Sequence, residues 1–133
     1  MKRVDKLLLV NGILTALYAV MLLFTPGQFF DMRGLEHTAA ALFVTRLLGG
    51  PAQIGYAVLS IVASRRPSEE TRRLVCVINA ITWSSGLIIL ATGALTLRTT
   101  GLIYMDIAVA LVFSLAFAIR VLRGAKQPAL AAI

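Results

Sequence analysis

Two ionisable residues, Arg46 and Asp106, lie inside long apolar runs. An ionised side chain in hydrocarbon is costly, so each needs a partner, water or a route to the interface. Arg46 sits eight residues inside its run, about 12 Å at 1.5 Å per residue. Asp106 sits four to five residues inside its own run, about 7 Å deep. These depths predict an intramembrane ion pair between Arg46 and Asp106 in the outer half of a helix bundle. Arg46 is followed at helical spacings by Gly49, Gly50, Gln53, Ala57 and Ser60, while Asp106 heads Ala110, Ser114 and Ala118. Small and polar residues mark helix interfaces in membranes, so Gly49, Gly50, Ala110 and Ser114 are expected to pack between helices. Such a pair can be structural, or can serve an anion site or a proton relay. The competing reading has Arg46 snorkelling to the headgroups and Asp106 solvated separately at the interface.

A second set, Gln53, Tyr56, Asn79 and Trp83, combines hydrogen-bonding groups with aromatic surface deep in the apolar runs. It is a candidate polar interior or ligand pocket, suited to a lipid or a quinone. Plain packing and interhelical hydrogen bonding is the alternative, shared by Asn11, Thr15, Thr82, Ser84 and Ser85. The one histidine, His37, falls in a connecting segment beside Asp31 and Glu36, too few ligands for a metal or a bis-histidine haem. The one cysteine, Cys76, excludes an intrachain disulfide and a cysteine metal site, and its apolar surroundings predict a buried thiol. No Gly-rich phosphate loop, nucleophile elbow or Ser-His-Asp set is present. No catalytic residue, metal or obligate cofactor is therefore predicted.

These residues are carried by a chain of 133 residues that is 59% hydrophobic and only 14% charged, with a mean hydropathy of +0.86. Soluble domains carry about 25% charged residues, so this is the composition of an integral membrane protein. At about 20 residues per span, four spans take about 80 residues and leave no room for a separate soluble catalytic domain. The apolar runs are 7–25, 38–64, 74–97 and 102–122, in one transmembrane domain over 1–133. The first closes at Thr25-Pro26-Gly27 and is too long for a signal-peptide core, which predicts a retained helix. The second contains Gly49-Gly50-Pro51, where a missing N–H and a ring clash predict a kink. The expected fold is an all-α four-helix membrane bundle. Asn11-Gly12-Ile13 and Asn79-Ala80-Ile81 lie 68 residues apart, a hint of a duplicated hairpin.

Charge placement orients the bundle. Lys2, Arg3 and Lys6 precede the first span, Arg65, Arg66, Arg72 and Arg73 join the second to the third, and Arg120, Arg123 and Lys126 flank or follow the fourth. The opposite side holds only Arg33 and Arg98. The positive-inside rule then predicts cytoplasmic N and C termini. The net charge of +7 is thus spread over three membrane-flanking segments, where it attracts anionic lipid, and is not gathered into a nucleic-acid surface. The tail 124–133 is short and Ala-rich and is assigned no function.

The stretch Thr45-Arg46-Leu47-Leu48-Gly49-Gly50, followed by Gly55 and ending in Ser64-Arg65-Arg66, comes after a first helix closing in Phe24-Thr25-Pro26. This pattern resembles small four-span bacterial membrane proteins of the DoxX-like kind, with Arg46, Gly49 and Gly50 the positions that carry the likeness. The resemblance implies a compact bundle in a bacterial cytoplasmic (inner) membrane, with some relatives associated with quinone-linked redox complexes. The leading functional expectation is a non-catalytic accessory or assembly subunit, docking on a larger membrane protein. A homo-oligomeric transporter or channel using Arg46 and Asp106, and a quinone- or lipid-binding redox-associated protein, are the alternatives.

Overall fold

A computed structural model describes residues 4–65 and 68–125, so Lys2, Arg3, Arg66 and Lys126 of the orienting charges lie outside the described residues. α1 (Lys6–Phe24) starts where the Asp5 side chain accepts the Leu8 N–H at 3.3 Å, satisfying one of the free donors of the first turn. It stops at Thr25, after which Pro26 opens the short helix α2 (Pro26–Asp31), its missing N–H harmless in a first turn. Gly34 follows with φ +68°, a left-handed conformation that turns the chain back over the bundle. Thr38 caps α3 (Ala39–Val44) by accepting the Ala41 N–H at 3.1 Å. A π turn (Thr45–Gly49) then leads without a break into α4 (Gly50–Arg65).

That π turn is the form taken by the kink expected near Gly49-Pro51. Pro51 has no N–H for the Leu47 carbonyl, and its ring would crowd that oxygen in a regular α turn. The chain accommodates both by widening, so that the Gly50 N–H donates to the Thr45 carbonyl one residue further back than usual. Ser68 caps α5 (Glu69–Thr96) through the Thr71 N–H, with Glu69 and Glu70 facing the positive end of the helix dipole. α6 (Leu102–Ala125) completes an all-α four-helix bundle.

Among the described residues four helices, 6–24, 39–65, 69–96 and 102–124, are long and apolar enough to cross a membrane, and the chain is a multi-pass membrane protein. Its surface agrees, since Ile89 and Leu95 of α5 are 71% and 88% exposed, and lipid would solvate such side chains better than water. The bundle is built from two hairpins, α1 packed on α4 and α5 packed on α6. Gly12 lets α1 and α4 touch: a Cβ there would lie 3.0 Å from the Ala57 carbonyl oxygen and 3.1 Å from the Ile61 nitrogen. Gly50 lies buried against Leu23, and Gly49 faces Leu22.

The start of α1 and the last turns of α4 and α6 share one end. Arg120 donates to Asp5 at 2.8 Å, and the Asp5 N–H donates to the Ser64 carbonyl at 2.9 Å. Above this charged end Leu8, Ala63, Val75, Cys76 and Phe117 form the main apolar core, so Cys76 is buried as expected. Asn11 and Asn79, the equivalent positions of the two hairpins, meet directly above it at 2.8 Å.

Candidate functional site

Asn11 sits on α1 and Asn79 on α5, each about one and a half turns into its apolar stretch, and both are buried. Asn11 Nδ2 donates to Asn79 Oδ1 and to Ser60 Oγ at 3.0 Å, and Asn79 Nδ2 donates to Ser60 Oγ at 3.1 Å and to the Val75 carbonyl at 2.9 Å. Asn11 Oδ1 accepts the Trp83 indole N–H at 2.7 Å. This network joins α1, α4 and α5, and it fixes Trp83, whose ring stacks on Phe113 at a centroid distance of 5.0 Å. On α6, Ser114 meets Ser84 of α5 at 2.5 Å, and Ala110 is fully buried, so both stand between helices.

At the opposite end Asp106 is buried, with 5% of its surface exposed, but its partner is not Arg46. Arg33, itself 4% exposed, donates from Nε to Asp106 Oδ2 and from Nη2 to Asp106 Oδ1 at 2.9 Å, a bidentate pair. Tyr18 Oη donates to the same Oδ1 at 2.8 Å. The third guanidinium nitrogen donates to the Phe29 carbonyl at 2.9 Å, and the Phe29 ring lies 3.6 Å from the guanidinium carbon. The connecting segment is fastened over this pair, because Thr100 donates its N–H to the Arg33 carbonyl at 2.9 Å and its hydroxyl to the Met32 carbonyl at 2.6 Å.

The expected Arg46–Asp106 pair is thus corrected to Arg33–Asp106. The π turn that carries Arg46 packs on α1, whereas α6 borders α5, and Arg46 is exposed among the exposed apolar residues Phe43, Val44, Leu47 and Leu48. Arg33 and Tyr18 were missed because hydropathy counts a connecting-segment arginine as a topology marker. A signal for Arg33 existed in its position four residues after Phe29, one helical turn away, on the side of the membrane where Asp106 is shallow.

Between the two polar clusters lies a cavity of about 290 Å³. Gln53, Tyr56, Asn79 and Trp83 all stand on its wall, so the second sequence-derived set is brought together in one place. Asn79, Trp83, Gly86 and Leu90 form its α5 side at successive turns, while Gln53 and Tyr56 come from α4. Arg33, Asp106 and Tyr18 close one end and Phe29 and Phe30 the margin beside it. His37 stays outside, with Nε2 3.0 Å from Asp31 Oδ1 in the connecting segment. Among the described residues no group of three His, Cys, Asp or Glu side chains is placed to hold a metal ion. The arrangement offers an aromatic slot with polar groups at both ends.

No protein-family model, no curated protein and no solved structure matches this chain. Fold and site together define a four-helix membrane protein with a polar-ended cavity between its two hairpins.

Proposed function

We propose that this chain is a ligand-binding protein of a bacterial cytoplasmic membrane, both termini inside, that holds a small amphipathic molecule of the quinone or lipid kind between its hairpins. The observation that carries the reading is the cavity of about 290 Å³, near the lower limit of ordinary small-molecule sites, with Trp83 in its wall and hydrogen-bonding groups at both ends. The DoxX-like resemblance agrees with a role beside quinone-linked machinery, and an accessory position next to a larger membrane protein is compatible with it. In the transporter alternative Arg46 and Asp106 would act apart, since Asp106 is paired with Arg33.

Trp83 is the one tryptophan of the chain, so its emission reports on the cavity alone. In lipid nanodiscs, a decyl-substituted benzoquinone is expected to quench Trp83 saturably. Gly86→Leu, which places a side chain on the cavity stripe where an added Cβ meets nothing within 4 Å, is expected to remove the saturable part while the protein stays folded. Quenching that rises linearly and equally in both proteins would sink the proposal.

A further inference from the structure

The charged and the unpartnered groups of the cavity wall fall into two separate sets. Its two charged residues, Arg33 and Asp106, consume each other: both carboxylate oxygens and two guanidinium nitrogens are used in the pair, and the third nitrogen is used by the Phe29 carbonyl. The pair has no net charge, so an anionic or cationic head entering the cavity would bring a charge that only exchange with one member of the pair could compensate. Either exchange leaves a buried charge uncompensated, the costliest outcome in a medium without water.

The polar wall groups divide as clearly. Trp83, Asn79, Thr82 and Tyr18 each donate to a group of the protein. Thr15, Gln53 and Tyr56 line the same cavity and, among the described residues, have no side-chain hydrogen-bond partner. Gln53 and Tyr56 stand one turn apart on α4, next to the π turn and Pro51, and both can donate and accept. Polar atoms open to a cavity and not engaged by the protein can bond to a ligand without breaking an internal hydrogen bond, so these three are the positions at which a ligand's polar atoms are received.

We infer that the cavity selects an electrically neutral, ring-bearing amphiphile whose carbonyl, amide or hydroxyl groups are read by Gln53 and Tyr56, with Thr15 as a third contact. This rests on the ligand-binding reading above and narrows it by excluding fatty acids, anionic lipid headgroups and organic cations. Arg33 and Asp106 then act as a closed, neutral end wall and not as the ligand's counter-ion.

A matched pair of probes tests the inference: 4-pentylbenzamide and 4-pentylbenzoate, of one shape and differing in charge, titrated at neutral pH into nanodiscs of zwitterionic lipid. Affinity is read from Trp83 emission and referred to the probe concentration dissolved in the bilayer. The amide is expected to bind at least tenfold more tightly than the benzoate. The Gln53→Leu/Tyr56→Phe double variant, which removes no hydrogen bond internal to the protein, is expected to lose at least tenfold in amide affinity at unchanged thermal stability. Benzoate binding as tightly as the amide overturns the neutrality inference and leaves ligand binding standing. Amide affinity unchanged in the double variant overturns the assignment to α4. Saturation by neither probe nor by the alkyl quinone overturns the ligand-binding reading itself and this inference with it.

Discussion

Removing Arg33 is the perturbation that bears most directly on this structure. Arg33→Met deletes two charge-assisted bonds to Asp106, the bond to the Phe29 carbonyl and the stack on the Phe29 ring, and it leaves the buried carboxylate with Tyr18 alone. A hydrogen bond to a charged group contributes about 1.5–3 kcal/mol and a desolvated cation–π contact up to about 2 kcal/mol, but these are not additive. Breaking one side of a buried ion pair costs about 3–5 kcal/mol in total, or roughly two to three and a half orders of magnitude in the folding equilibrium. Asp106→Leu is expected to cost as much, since it strands Arg33 and the Tyr18 hydroxyl together. The double variant Arg33→Met/Asp106→Leu contains neither charge and is expected to recover to within about 1–2 kcal/mol of the parent protein. The assay is reversible unfolding in mixed micelles followed by Trp83 emission, with folded yield from size-exclusion chromatography. Arg46→Ala is the control: the side chain is exposed and its loss is expected to stay within about 0.5 kcal/mol. Single variants as stable as the parent, a double variant no better than either single, or an Arg46→Ala loss equal to that of Arg33→Met would each refute the pairing.

Two further outcomes follow from the packing. Asn11→Leu strands the Trp83 indole and deprives Ser60 and Asn79 of a shared partner, so it is expected to cost about 1–3 kcal/mol and to shift Trp83 emission. An unchanged midpoint and spectrum would show that the network does not hold the hairpins. Gly12→Ala drives a methyl to within 3.0 Å of the Ala57 carbonyl oxygen and is expected to cost about 1–3 kcal/mol, measured in the same unfolding assay. Gly86→Ala meets nothing and is expected to leave stability unchanged or raise it by up to about 1 kcal/mol, and the reverse order of these two variants would contradict the packing.

The four spans were legible because hydropathy integrates over many residues and tolerates local error. The 74–97 stretch begins at Glu69 in the structure, since Ser68 caps the helix and Glu69 and Glu70 suit a first turn although none of the three is apolar. The short α2 was hidden for the opposite reason, six residues being too few for periodicity to register against Pro26 and Gly27. Asp106 was legible as a misfit in lipid, and Gln53, Tyr56, Asn79 and Trp83 as an aromatic and polar set. Which cation answers Asp106 was not, because that depends on how a connecting segment folds back, through the left-handed Gly34 and the bonds of Thr100 to Met32 and Arg33. Depth along a helix axis singled out Arg46 without regard to which helices are neighbours.

The separation of Arg33 and Asp106 by 73 residues also has a consequence in time. In the proposed orientation, with both termini inside, the first hairpin would carry Arg33 across the bilayer while α6 is still unsynthesised, and the cation would wait in water, where it costs little. Asp106 arrives last and enters a bilayer that already presents its counter-ion, sparing the final helix the need to insert a bare carboxylate. Chain order therefore makes α6 the closing piece of biogenesis, and a nascent chain that stalls before it displays an unsealed outer face to whatever proteolytic surveillance the membrane maintains.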